Sequence, residues 1–225
     1  MTETTEVLSM TELEALLNQV NTRTPTGARN YALLQVMAQT GIRCGEALKA
    51  TPADVRQEEW GTNGDRVKVW VLRLPAKSTK GGQGRQGLPL TPATRQALEV
   101  WQDRRAALGI GDGPLFCTVS TGAASGHFAG EGQALEPGRP LSSRYVRELV
   151  ARLAQKAGIG RRVHPHMLRH TALTALYDKT RDLRMVQTVA GHTTSRMTER
   201  YTHVHPVDVA VAMGALLEAG GDSGE

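Results

Sequence analysis

Residues 166–171 read His166-Met167-Leu168-Arg169-His170-Thr171, and Pro165 just before them opens a helix. The i, i+3 spacing puts the His166 imidazole and the Arg169 guanidinium on one helical face. Two such donors side by side suit an oxyanion. A helix that carries His and Arg by chance would look the same. His164 and His170 raise a rival, a metal cluster. It is disfavoured, because no Cys or carboxylate sits at ligand spacing nearby and the histidines do not share one helical face.

Outward from this stretch the pattern is mostly helical. Ser9 starts a helix that runs through Leu13 to Val20, and Tyr31–Thr40 carries Leu34, Met37 and Ala38 on one face. Gly41 breaks that helix, and Arg43–Lys49 begins another that ends at Pro52. Val67–Leu74 (VKVWVLRL) alternates as a strand does, Gly81, Gly82 and Gly84 make a turn, and Gln86–Leu90 returns. Thr91-Pro92 marks a helix start whose buried stripe is Leu98, Trp101 and Leu108, with Gly109 as its stop. Residues 121–140 read as a long surface loop. Ser142 or Ser143 caps a helix with Val146, Leu149, Val150, Leu153 and Ala157 at helical spacing. Three more helices are expected at Leu183–Ala190, Thr194–Tyr201 and Pro206–Ala219. The expected class is mainly α with one small antiparallel sheet (α+β).

Composition narrows the partners. Of 225 residues, 40% are apolar, enough for a sizeable core, and the net charge is +5. That balance leans toward polyanions but fits an ordinary surface too. Aromatic residues are only 4%, so a stacking platform for single strands is not expected. Met1–Val7 is polar and acidic, and no apolar run approaches the roughly 20 residues of a membrane helix. Cys44 and Cys117 are too few for a disulfide scaffold. A cytoplasmic protein with no membrane partner is expected.

Three more segments carry chemical potential. In Thr40-Gly41-Ile42-Arg43-Cys44-Gly45-Glu46, Arg43 sits at a helix start, where backbone N–H groups favour phosphate. Glu46, three residues on, can hold its guanidinium; a plain surface ion pair is the bland alternative. Gly191-His192 alone reads as a helix boundary, and Tyr201 alone as packing. Yet Tyr201 lies in a polar run, Thr198–His203, so its hydroxyl is expected near water or a ligand.

TGIRCGEAL, HMLRHT and GHTTSRMTERYTH, in this order and spacing, resemble the signature boxes of the tyrosine recombinase (phage integrase) family, over about Ser9 to His205. The resemblance implies the catalytic-domain fold of that family, with Arg43 and Arg169 as the catalytic arginines and His166 and His192 as further donors. It makes Tyr201 the nucleophile that forms a 3′-phosphotyrosyl link, and Glu46 a supporting residue. The catalytic lysine falls in the turn before Leu88-Pro89-Leu90; Lys80 is the choice and Lys77 the alternative. Double-stranded DNA is the implied partner, in a homo-oligomer, a tetramer on DNA, held in part by the carboxy-terminal helix. No metal or nucleotide cofactor is implied. Further phosphate contacts are expected from Lys77, Arg85, Arg144, Arg147 and Arg162. The implied layout is a tail at 1–8, a catalytic domain at 9–205 and a terminal helix and tail at 206–225. The helical DNA-binding domain that usually precedes it is not expected here. A type IB topoisomerase and a catalytically dead DNA-binding relative are the other classes compatible with these motifs.

Overall fold

The computed structural model describes residues 7–61, 66–75, 85–119 and 136–191. Helix α1 (Met10–Asn18) opens on a capping box. The Ser9 hydroxyl accepts from the Glu12 amide, and the Glu12 carboxylate accepts from the Ser9 amide at 2.9 Å. Helix α2 (Pro25–Thr40) is longer than its apolar pattern suggests: it starts at Pro25, with Thr24 as N-cap. Its first two turns hide Arg29 and Asn30, which are 3% and 5% exposed. Arg29 donates to the Cys117 carbonyl at 2.8 Å, to Asn30 Oδ1 and to the Tyr145 hydroxyl. Burial holds its pKa below the usual guanidinium range.

A short helix α3 (Cys44–Ala47) and a 3-10 turn at Pro52–Asp54 lead into a three-stranded antiparallel sheet in the order β1 (Val55–Trp60), β2 (Val67–Leu74), β3 (Arg85–Pro89). The expected hairpin is present as β2 and β3, with Leu72 opposite Leu88. Strand β1 is an addition. It pairs with β2 over its whole length, Val55 opposite Leu72 and Trp60 opposite Val67. Its sequence, VRQEEW, is mostly polar because it is an edge strand with little burial on either face. Glu58 ties that edge together, accepting from Arg56 and Trp60 and lying 3.3 Å from Arg73.

Helix α4 (Pro92–Ala107) is capped by Thr91 and packs along α2. Leu98 and Trp101 are buried as expected, and the Trp101 indole donates to the Leu115 carbonyl at 2.7 Å. Leu108 is not: it is 42% exposed. It caps the helix just before Gly109 (φ 67°), and Arg105, four residues after Trp101, takes the next buried position. After the buried Leu115–Cys117 stretch, Cys117 bridges to Pro140. Helix α5 (Ser143–Lys156) takes Ser142 as its cap, and Ala157 is its C-cap rather than a stripe residue. Helices α6 (Pro165–Thr180) and α7 (Leu183–Ala190) follow.

One core runs through α2, α4, α5 and α6. Leu33, Leu34, Met37, Val150 and Leu168 are fully buried in it. Truncating any of these to Ala costs about 2–5 kcal/mol. Among the described residues no helix is long and apolar enough to cross a membrane. The helices expected at Thr194–Tyr201 and Pro206–Ala219, and most of the 121–140 loop, lie outside the described residues.

Candidate active site

The site forms where α2 ends, α3 begins and α6 passes beneath both. Gly41 caps α2 in the left-handed conformation, φ 63°. A Cβ there would meet the Leu173 side chain of α6 at 3.1 Å, so a larger residue would be both strained and crowded. Ile42 turns inward and is fully buried, which leaves Arg43 at the start of α3 facing out. Its guanidinium lies 3.1 Å from Glu46, and the same carboxylate accepts from the Arg43 amide at 3.3 Å. The Glu46 side chain is 4% exposed against 27% for Arg43. The carboxylate thus grips the arginine from below and leaves its outer face accessible.

Helix α6 supplies the second half. His166 is exposed, and His170, one turn on, is buried with its ring edge-on to His166 at 4.8 Å between centroids, so these two histidines do share a face, contrary to the expectation. Arg169 is 2% exposed. It donates to the Gly41 carbonyl at 2.6 Å and to the Ala190 carbonyl at 2.9 Å. His166 and Arg169 belong to one side of α6, but at different depths.

Arg43, His166 and Arg169 line one cavity of about 250 Å³. Its other polar walls are Cys44, His164 and, from the first turns of α5, Ser143 and Arg147. Three arginines and two histidines meet there, and no carboxylate is among the lining residues. A cavity so lined favours a tetrahedral or five-coordinate oxyanion, with planar guanidinium forks able to take two oxygens each. Burial pushes the Cys44 thiol up, against the opposing pull of a Ser143 hydrogen bond and the Arg147 charge. Cys44 therefore stays a neutral wall and not a nucleophile. Among the described residues, no three His, Cys, Asp or Glu side chains gather as metal ligands do.

The structure thus brings together Arg43, Glu46, His166, Arg169 and Arg147. It does not bring Arg144 or Arg162 to this cavity. Arg144 is paired with Glu148 at 2.8 Å, and Arg162 lines a separate depression beside Arg161 and Gln155. Arg85 begins β3, but its side chain lies outside the described residues, as do Lys77, Lys80, His192 and Tyr201. His164, Ser143 and Cys44 were not expected at the site. The signal for Ser143 was its spacing of four from Arg147, which places both on one face of α5.

A family model described as the phage integrase family matches residues 6–207. The chain belongs to that family. The tyrosine recombinase XerC of Bacillus subtilis is 32% identical over 198 residues, which cover 86% of this chain and 55% of that protein. A tyrosine recombinase of Synechococcus elongatus is 31% identical over 189 residues, covering 83% and 50%. The integrase-family chain therefore spans about half the length of the curated relatives it matches. Among solved structures, the XerH site-specific recombinase bound to palindromic difH, in a post-cleavage complex, superposes with a TM-score of 0.68 at 25% identity, over 94% of this chain and 53% of that one. The fold is that of the tyrosine recombinases. Among the described residues, the mainly helical pattern and the small antiparallel sheet expected from the sequence are both part of it.

Proposed function

We propose that this chain is the strand-cutting and strand-joining domain of a site-specific tyrosine recombinase or integrase acting on double-stranded DNA. The observation that carries the proposal is the cavity lined by Arg43, Arg147, Arg169, His164 and His166, with no carboxylate among the described lining residues. A scissile phosphate seated there gains negative charge as it passes through a five-coordinate state. Preorganised donors stabilise that charge, and each is worth about 10²–10³ in rate.

Tyr201 is the nucleophile in this reading. Its phenolic oxygen bonds to phosphorus, the bond from phosphorus to the 5′ oxygen breaks, and a 3′-phosphotyrosyl link remains. The phenolic proton passes to a base, a role we assign to His166, which is exposed and lines the cavity. The departing 5′ oxygen takes a proton from Lys80, or from Lys77 in its stead. His192 adds a further donor. An ordinary tyrosine has a pKa of about 10, so the surrounding cations also lower the cost of the phenolate. A 5′ hydroxyl then attacks the phosphotyrosine and reseals the strand. The chemistry calls on neither nucleotide nor metal, since no bond energy is lost and the arginines supply the positive field.

Of the expected additional phosphate contacts, Arg147 lines the cavity; in this reading Lys77, Arg85, Arg144 and Arg162 add further contacts to duplex DNA. The active form is a homo-oligomer on DNA, a tetramer, to which the apolar stripe Val209, Met213 and Leu216 contributes.

A nicked suicide duplex traps the intermediate. In excess chelator, the wild-type chain should give a covalent band on a denaturing gel, and Tyr201→Phe should give none while folding normally. A band retained by Tyr201→Phe, or a wild-type band that needs added magnesium or zinc, would overturn the mechanism.

A further inference from the structure

Arg169 is among the most deeply buried charged side chains described, 2% exposed, and while it lines the cavity it also donates to two backbone carbonyls. The two carbonyls it meets have something in common. Gly41 is the C-cap of α2, and Ala190 is the last residue of α7, followed by its C-cap Gly191. Both caps are left-handed, with φ 63° and 58°. Carbonyls at a helix C-terminus lack intrahelical partners and carry the negative end of the helix dipole. One guanidinium therefore closes two helix ends at once, at 2.6 Å and 2.9 Å. Each end leads within two residues to another site residue: Gly41 to Arg43, and Ala190 to His192.

We propose that Arg169 is a positioning residue as well as a phosphate ligand: its guanidinium sets the spacing between the Arg43 turn and the chain that leaves α7 toward His192. The inference rests on the reading of Arg43 and His192 as catalytic. Lysine cannot replace it in this role, because a single ammonium on a flexible stem does not hold two carbonyls in the fixed fork of a guanidinium. The geometry also links the two sides. Displacement of the α7 end removes a bond that orients Arg169, and so disturbs its hold on the Gly41 turn.

The test needs no DNA in its first arm. Amide hydrogen exchange is followed at Gly41 and Gly191, whose N–H groups bond to Met37 and Thr188 carbonyls. In Arg169→Lys both amides should exchange faster by about tenfold, while amides in α4 around Leu98 stay at their wild-type rates. Arg43→Lys should leave Gly191 unchanged. Unchanged exchange at either turn, or a rise shared equally by α4, overturns the proposal. Should Arg169→Lys not fold, the wild-type chain with ¹⁵N-labelled arginine gives the same answer: Arg169 should show separate, slowly rotating Nη protons, and a freely rotating group overturns the idea. In the second arm, covalent trapping on a nicked duplex is timed at saturating DNA. If Arg169 positions Arg43, adding Arg43→Lys to Arg169→Lys should slow the reaction by a smaller factor than Arg43→Lys does alone. Full multiplicativity overturns the coupling. A wild-type chain that traps no DNA overturns the recombinase reading and leaves the exchange result standing.

Discussion

Arg43 keeps 27% of its side chain exposed and is held by one carboxylate, whereas Arg169 is 2% exposed and held by two backbone carbonyls. Both reach the same cavity. In an alignment of motifs they would look equivalent, yet the fold depends on them differently. Arg43 is attached to the surface of the site and Arg169 is built into its frame. A residue of the first kind can be lost with the fold intact. Loss of the second kind removes chemistry and scaffold together, so a dead variant at Arg169 says less about chemistry than a dead variant at Arg43.

The largest effect should come from Arg169→Ala. Two hydrogen bonds from a charged donor disappear, and the Gly41 and Ala190 carbonyls are left in a buried space. The expected loss is about 2–4 kcal/mol, since hydrogen bonds to charged groups contribute about 1.5–3 kcal/mol each and relaxation recovers part. Urea unfolding at neutral pH measures it. A loss below about 1 kcal/mol would erase the distinction between the two arginines.

Arg43→Ala should cost less, about 1 kcal/mol, and for a different reason: it takes one guanidinium partner from the Glu46 carboxylate, which is only 4% exposed. Glu46→Gln in the Arg43→Ala background should then recover most of the loss, because a neutral amide tolerates that buried position better than a carboxylate that has lost its guanidinium. A double variant less stable than Arg43→Ala would mean that Glu46 serves the fold through partners other than Arg43.

The sequence pointed to residues that line this cavity better than to how deeply each is set. Arg43, His166 and Arg169 were legible because side chains carry the signal, and their spacing along helices survives folding. The burial of Arg169 was not legible, because the groups it serves are backbone carbonyls, and any residue at 41 or 190 would present one. The same limit explains the helix and strand errors. The start of α2 went unread because Arg29 and Asn30 look like surface residues, and the Cys117 carbonyl and the Tyr145 hydroxyl, which help make their burial tolerable, lie far along the chain. Strand β1 went unread because an edge strand with polar faces has no apolar alternation to detect. Helix starts, by contrast, were read well: Ser9, Thr91 with Pro92, and Pro165 all sit where helices begin, since a cap is a local contract between neighbours.

The smallest effect marks the exposed extreme of the comparison. Arg161 grips the chain near its amino-terminal end: it donates to the Val7 carbonyl at 3.0 Å and pairs with both oxygens of Glu12, at 2.5 and 2.8 Å. Its side chain is 36% exposed and that of Glu12 28%, so solvent and salt screen much of the attraction. The Arg161 hydrogen bond, aided by the Ser9 amide, nonetheless holds the Glu12 pKa at about 2, below its ordinary 4.5. A carboxylate with a lowered folded pKa stabilises the fold above its unfolded pKa and loses that contribution as pH falls through the folded value. Glu12→Gln isolates the charge, because a glutamine can still accept from the Ser9 amide and complete the capping box. The variant should melt about a degree or two below wild type at pH 7, and less so in high salt. The gap should narrow between pH 4.5 and pH 2 and be nearly closed at pH 2. A gap that persists undiminished in acid would show that Glu12 contributes through shape and capping and not through its charge, leaving no electrostatic difference between the clamp at Arg161 and an ordinary surface contact.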